Sequence, residues 1–310
     1  MMRCVRVSFT LDVVELSVGH DATTPGSVGF TVNALSGERV PNISAASGLF
    51  RDTATGGASA GFDLKQAFVS WKPSAAWKID AGKFTTHVGA EVIEGADGAN
   101  DTYSRGLLFG FAEPFTHTGV RAAWTVNDHV TATMLVVQGW DNVRDNNSGK
   151  SFGGQVAWTM SPALTVTANY LGGPERANTS DWRHLYNVVA VAHWRERVTV
   201  TMSGDLGRET GAADGATAMW QGVSTSARMA IDDRNAVAAR IEWFNDRDGV
   251  RTGTPMHVTS WTLAPTHTFT PHVTVRAEGR FDQASAAVFG SSTRPSTRQF
   301  TTALNLLLGF

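Results

Sequence analysis

Gln299 to Phe310 read QFTTALNLLLGF. Phe300, Thr302, Leu304, Leu306, Leu308 and Phe310 share one face at a spacing of two. Thr301, Ala303, Asn305 and Gly309 share the other, with Leu307 the exception. A period of two is the side-chain repeat of a β-strand. One apolar face and a C-terminal Phe suit the last strand of a bacterial outer-membrane barrel, where that face meets lipid and the other a wet interior. They also suit the last strand of a soluble sandwich, so the rest of the chain has to choose.

Composition narrows the choice. The chain has 310 residues, enough for one large barrel or two ordinary domains. Charged residues are only 17 % against 42 % hydrophobic, below the roughly 25 % charge of a typical soluble domain. No apolar run approaches the roughly 18 residues that a membrane helix needs, so the apolar content is spread through alternating segments. A net charge of −2 advertises no nucleic-acid surface. Cys4 is the only cysteine, so no internal disulfide forms.

The alternation supports fifteen strand candidates, near 7–19, 27–35, 62–72, 77–86, 118–125, 130–140, 152–160, 164–172, 184–194, 198–208, 218–231, 236–245, 257–265, 272–282 and 299–310. From His272 to Gln283, Val273, Val275, Ala277, Gly279 and Phe281 oppose Thr274, Arg276, Glu278 and Arg280. A sandwich gives the same alternation. Connection lengths separate the two readings. Short links near 73–76, 125–129, 161–163, 195–197, 232–235 and 266–271 alternate with long polar ones near 36–61, 87–117, 141–151, 173–183, 209–217, 246–256 and 283–298. Tight turns at one end and long loops at the other are the pattern of an up-and-down barrel. Trp71, Trp77, Trp124, Trp158 and Trp194 border the short turns, while Trp140, Trp182, Trp220 and Trp243 lie near strand ends. That distribution predicts aromatic girdles at two membrane interfaces. The fold class is therefore all-β: a transmembrane antiparallel up-and-down barrel in a single domain over 1–310.

Four segments carry a resemblance: Leu64–Trp71 (LKQAFVSW), Ala81–Glu94 (AGKFTTHVGAEVIE), Tyr103–Trp124 (YSRGLLFGFAEPFTHTGVRAAW) and Val137–Trp158 (VQGWDNVRDNNSGKSFGGQVAW). They resemble the OmpL-like β-barrel porins of Gram-negative bacteria, and the likeness continues more weakly to Phe310. The resemblance implies an outer-membrane porin that lets small hydrophilic solutes or ions diffuse passively. Its partners would be outer-membrane lipids, the barrel-assembly machinery reading the C-terminal Phe310, and further copies of the chain in a homo-oligomer. It carries no catalytic residues and implies no cofactor. An outer-membrane enzyme or adhesin working through the long loops is the alternative.

Candidate sites follow from the faces. Lys78, Asp80, Arg121, Arg228, Arg240, Glu242, Arg276, Glu278 and Arg280 all oppose the apolar face of their strands. On a barrel wall they would line the pore, where fixed charges set the field that an ion crosses; alternatively they pair and stiffen the wall. Their excess of arginine points to anions. The segment from His87 to His117 is too long for an ordinary hairpin loop. With Glu91, Glu94, Arg105 and Phe109 it would fold into the barrel and narrow it, or else pack on the rim.

Asp141, Asn142, Asp145, Asn146 and Asn147, and Asp246, Asp248 and Gly249, make oxygen-rich loops without the ligand spacing of a dedicated calcium loop. Turn chemistry accounts for the same residues. The scattered histidines show no zinc spacing, and no nucleophile elbow, HExxH, P-loop or CxxC appears.

Parity adds one expectation. Single-chain bacterial barrels have even strand numbers, and open edges in lipid leave backbone groups unsatisfied. Fifteen visible strands therefore predict sixteen in the complete protein, with an opening strand and a signal peptide ahead of Met1.

Overall fold

A computed structural model of the protein describes residues 10–41, 49, 61–93 and 99–310. Its main element is one fifteen-stranded sheet in which every hydrogen-bonded neighbour is antiparallel and, apart from a small hairpin that intervenes before the last strand, consecutive in the chain. The strands are β1 (Val14–His20), β2 (Val28–Ser36), β3 (Phe62–Trp71), β4 (Trp77–Thr85), β5 (Thr116–Asn127), β6 (Val130–Val137), β7 (Ser151–Ser161) and β8 (Leu164–Pro174). They continue as β9 (Trp182–Trp194), β10 (Val198–Ala213), β11 (Ala216–Ala230), β12 (Asn235–Asp246), β13 (Met256–Thr270) and β14 (Val273–Ala284). A small separate hairpin, β15 (Phe289–Ser291) and β16 (Arg294–Ser296), precedes the last strand, β17 (Arg298–Leu308).

The alternation that builds each strand also sorts its two faces, in the opposite sense to a soluble protein. On β12, Arg240 and Glu242 are 3 % and 2 % exposed, while Ile241 between them is 56 % exposed. On β14, Arg276, Glu278 and Asp282 are buried, and Val273, Val275, Ala277 and Phe281 are half-exposed on the other face. Phe281 registers with Phe300, and Val275 with Leu306. Both β17 partners are exposed. Among the described residues no second sheet covers this outer face. Charge inside and hydrocarbon outside is what a wall standing in lipid requires.

The sheet curls round until its two ends share a neighbour. Tyr103 donates its hydroxyl to Asp12 Oδ2 just before β1 (2.6 Å), and its backbone N–H to Glu278 Oε2 on β14 (2.7 Å). The edge strands β1 and β17 do not pair with each other among the described residues. The expected sixteenth strand concerns sequence outside those residues.

Three sequence expectations need correction. The opening strand, expected at 7–19, begins at Val14 and runs to His20; positions 1–9 lie outside the described residues. The link at 209–217 is not a long loop. β10 and β11 run on to a two-residue turn at Asp214 (φ 47°) and Gly215 (φ 89°). An Asp-Gly pair accepts the left-handed angles of the hairpin turn whose twist matches that of the strands. The polar link at 283–298 holds the β15–β16 hairpin, too short to leave a periodic pattern.

Candidate functional site

The described residues of the long segment between β4 and β5 lie inside the curl of the sheet, attached on two flanks. On the first flank the segment is apolar. Leu107, Leu108 and Ala112, around a single π-helical turn (Leu108–Ala112), are buried with Phe84, Leu135, Val137, Leu171, Leu185, Trp220 and Phe244, all inward-facing residues of the wall. Phe109 is buried too and stacks obliquely on Phe115, their ring centroids 5.2 Å apart. Gly106 N–H donates to Glu91 Oε2 (2.8 Å), which closes the segment on itself.

Deeper along the same wall, polar residues replace the apolar ones. Gln155, Asn169, Asn187 and Asp205 stand in register on β7 to β10. Gln155 donates to Asn169 (2.8 Å), Asn169 to Asn187 (2.7 Å) and Asn187 to Asp205 (2.8 Å). The segment reads this ladder through the Gly89 N–H, which donates to Asn187 Oδ1 (3.2 Å), and through the His87 carbonyl, which accepts from Gln155 (2.9 Å). Burial pushes the His87 imidazole down to about 4, so it is neutral at pH 7.

Glu113, at the end of the π turn, faces Asp205. Glu113 Oε2 and Asp205 Oδ2 are buried with no N–H or hydroxyl donor among the described residues. A proton shared between the two carboxyls would satisfy both oxygens. Burial, then the neighbouring Asp205, Glu91 and Glu242, raise the Glu113 carboxyl well above the ordinary range, which supplies that proton.

The second flank is ionic. Arg240 Nη1 donates to Glu91 Oε1 (2.5 Å), Thr102 Oγ1 (2.6 Å) and the Ser104 carbonyl (3.1 Å), while its Nε reaches Glu242 (2.9 Å). Glu242 accepts from Leu107 N–H (2.8 Å), and Glu278 accepts from the backbone of Tyr103 and Ser104. Arg280 pairs with Asp282 (2.8 Å) and donates to the Arg105 carbonyl (2.7 Å). Arg228 pairs with Asp101 (3.2 Å). So Arg228, Arg240, Glu242, Glu278, Arg280, Glu91 and Arg105 are brought together. Arg276 faces the same space with a buried Nε that has no hydrogen-bond partner among the described residues. Glu94 lies outside the described residues.

Lys78, Asp80 and Arg121 form a separate group on β4 and β5. Asp80 accepts from Arg121 (2.8 Å) and Ser70 (2.6 Å), with Lys78 3.9 Å away. The Arg121 guanidinium sits over the Phe84 ring at 4.5 Å. The arginine excess read from the strands is offset locally, because Glu91, Asp101 and Asp282 come to meet it. Their sequence signal was present, since Asp282 continues the charged face of β14 and Asp101 lies in the long segment. Arg251 carries no such signal. It lies over the Trp140 and Trp220 rings (4.7 and 5.4 Å) and donates to the Phe111 carbonyl (2.7 Å). Trp140 and Trp220 are accordingly inward and buried, and do not belong to a membrane girdle. Trp71, Trp124, Trp158, Trp182 and Trp194 are on the exposed face.

The oxygen-rich loops are explained by their turns. Asp246 Oδ2 accepts from the Arg251 and Thr252 N–H groups and the Thr252 hydroxyl (2.7–2.9 Å), and Asp145 pairs with Lys150. No group of His, Cys, Asp and Glu among the described residues is arranged to hold a metal ion.

No curated protein matches the chain. Solved structures do. OmpF of Salmonella typhi, in complex with daunomycin, aligns with TM-score 0.66 and 11 % identity over 95 % of this chain and 89 % of that one. The outer membrane channel DcaP of Acinetobacter baumannii aligns with TM-score 0.63 and 9 % identity over 95 % and 84 %. The trimer form of OmpT from Vibrio cholerae aligns with TM-score 0.61 and 12 % identity over 96 % and 92 %. At such identities the likeness gives the fold, an outer-membrane up-and-down β-barrel. The family model described as "Putative beta-barrel porin-2, OmpL-like" matches residues 6–310, and the chain therefore belongs to the OmpL-like β-barrel porins of the outer membrane.

Proposed function

We propose that the chain is a passive diffusion pore for small hydrophilic solutes or ions, narrowed by the segment between β4 and β5. The observation that carries this reading is the double attachment of that segment, apolar on β6 to β12 and ionic on β12 and β14. A segment held at both flanks across the lumen leaves a fixed aperture rather than a plug that swings. Arg240, Glu242, Glu278 and Arg280 hold the segment on one side of that aperture, with Arg228 and Arg276 beside them, and Lys78, Asp80 and Arg121 stand on the other. Near-balanced charge favours weak selectivity, with Arg276 the residue best placed to attract anions. The protein works through its wall and lumen as a channel rather than as an enzyme, and self-associates in the membrane as the trimeric structural neighbour does.

Planar-bilayer recording of the full chain tests the reading. Stepwise conductance is the expected result, and silence from a correctly folded barrel would turn attention to the long loops as an enzymatic or adhesive surface. Replacing Arg276 and Arg280 together by Ser should lower the anion-to-cation permeability ratio in a salt gradient. An unchanged reversal potential would make both arginines purely structural.

A further inference from the structure

The outer face of the wall changes character where β9 to β12 approach the long-loop end. Below that level it is hydrocarbon, with Val188, Met202, Val223 and Ile241 exposed. At the next outward position after Leu206 stands Arg208, exposed, with no carboxylate in ion-pair range among the described residues. Arg208 registers with His184 on β9 and Met219 on β11. Arg247, 73 % exposed at its side chain, continues the outward face just past β12. Two strand spacings separate the two arginines, about 10 Å. Between them lies a shallow pocket floored by Leu206 and Met219 and edged by Gln221 and Asn245.

The charge here is only partly cancelled, because Arg208 is unpaired among the described residues while the exposed Arg247 has one weak partner. That partner is Asp248, whose Oδ1 lies 4.0 Å from Arg247 and whose Oδ2 accepts from the Met219 N–H (2.9 Å). Beyond Arg208, Arg176 and Asp181 answer each other at 3.4 Å. Beside the arginines, Trp182, His184, Tyr186 and Tyr170 form a continuous ring stack with centroids 5.2–6.5 Å apart. Such amphipathic rings mark the level of lipid headgroups. An arginine at that depth either reaches water or meets a headgroup anion. Two arginines about 10 Å apart, flanking an apolar floor and directly above a hydrocarbon wall, fit an amphiphile with separated phosphates.

We propose that this patch binds a phosphorylated glycolipid of the outer leaflet, with Arg208 and Arg247 on its phosphates and its acyl chains on the wall beneath Leu206. The inference rests on the outer-membrane location and is independent of whether the barrel conducts. The full chain is folded in detergent, its folding checked by the heat-dependent shift of its gel band. Native mass spectrometry then counts retained lipid, using a bisphosphorylated lipid A and the same lipid with its phosphates removed.

The wild type should retain the phosphorylated lipid in preference, and R208Q/R247Q should reduce that retention about tenfold or more, the scale of losing charge-assisted hydrogen bonds. Equal retention of the phosphate-free lipid overturns the proposal, and so does undiminished retention by the folded double variant. Complete displacement of the lipid by millimolar inorganic phosphate would also overturn it, making the patch a free-anion site. Should the double variant fail to fold, the comparison of the two lipids on the wild type decides alone.

Discussion

The two flanks of the inner segment reach the same end by different physics. On the apolar flank, Leu107, Leu108 and Ala112 meet the wall as a small core whose attraction is non-directional and indifferent to salt. On the ionic flank, Glu91 and the stretch Thr102–Leu107 are fixed by named hydrogen bonds from or to Arg240, Glu242, Glu278 and Arg280. The first flank sets that the segment stays inside. The second sets where it stays, since a guanidinium with three partners on the segment tolerates little sliding. An aperture of defined size needs both.

The largest effect should come from breaking the ionic flank at its centre. Arg240→Ala leaves Glu91 and Glu242 buried without their cation, a loss of roughly 3–5 kcal/mol. The expected readouts are a lower denaturant midpoint and a larger, noisier single-channel conductance; unchanged conductance would mean that the segment does not border the passage. Leu108→Ala attacks the other flank. Removing a buried leucine there should lower stability by roughly 2–3 kcal/mol, towards the low end because the segment can settle into part of the cavity. Its conductance change should persist unaltered between low and high salt, whereas partly exposed ion pairs such as Arg228–Asp101 weaken with salt.

Glu113 sharpens the comparison through pH. Its carboxyl is raised by burial and by neighbouring carboxylates, so the docked form is the protonated one. Docking is then fully favoured below the ordinary glutamate value of about 4.3 and weakens as pH rises through the raised one. Glu113→Gln keeps the neutral shape and should flatten the rise of conductance with pH, measured from pH 5 to 9. A variant with the same pH profile as the wild type would show that Glu113 does not help to dock the segment. The smallest effect belongs to Thr102→Val. It deletes the hydrogen bond from Arg240 (2.6 Å) and the one that the hydroxyl donates to the Ser104 carbonyl (3.1 Å), and should shift stability by about 1–2 kcal/mol in a denaturant titration.

The wall was legible in the sequence because its information is local. Each β-strand announces its faces through alternate residues, so the outward Val275 and Phe281 and the inward Arg276 and Glu278 were readable from their own neighbours. The contacts of the inner segment were not. Arg240 and Glu91 lie 149 positions apart, and nothing in either stretch names the other. The Asp214–Gly215 turn was readable but lost to the rule that long links alternate with short ones. Trp140 and Trp220 sit at strand ends as a girdle would, and only the position of Arg251 between their rings explains why they turn inward.

The burial of charge and exposure of hydrocarbon on alternate residues has a consequence for how such a chain travels. A segment that stays in the first membrane it crosses needs about 20 consecutive apolar residues. β12 offers a hydrocarbon side chain only at every second position, with Arg240 and Glu242 between Ala239, Ile241 and Trp243. Averaged along the backbone it is too polar to halt during export. Its greasy surface comes into being only when neighbouring strands align their outward residues. The same spacing of two that makes a wall for one membrane therefore carries the unfolded chain through another.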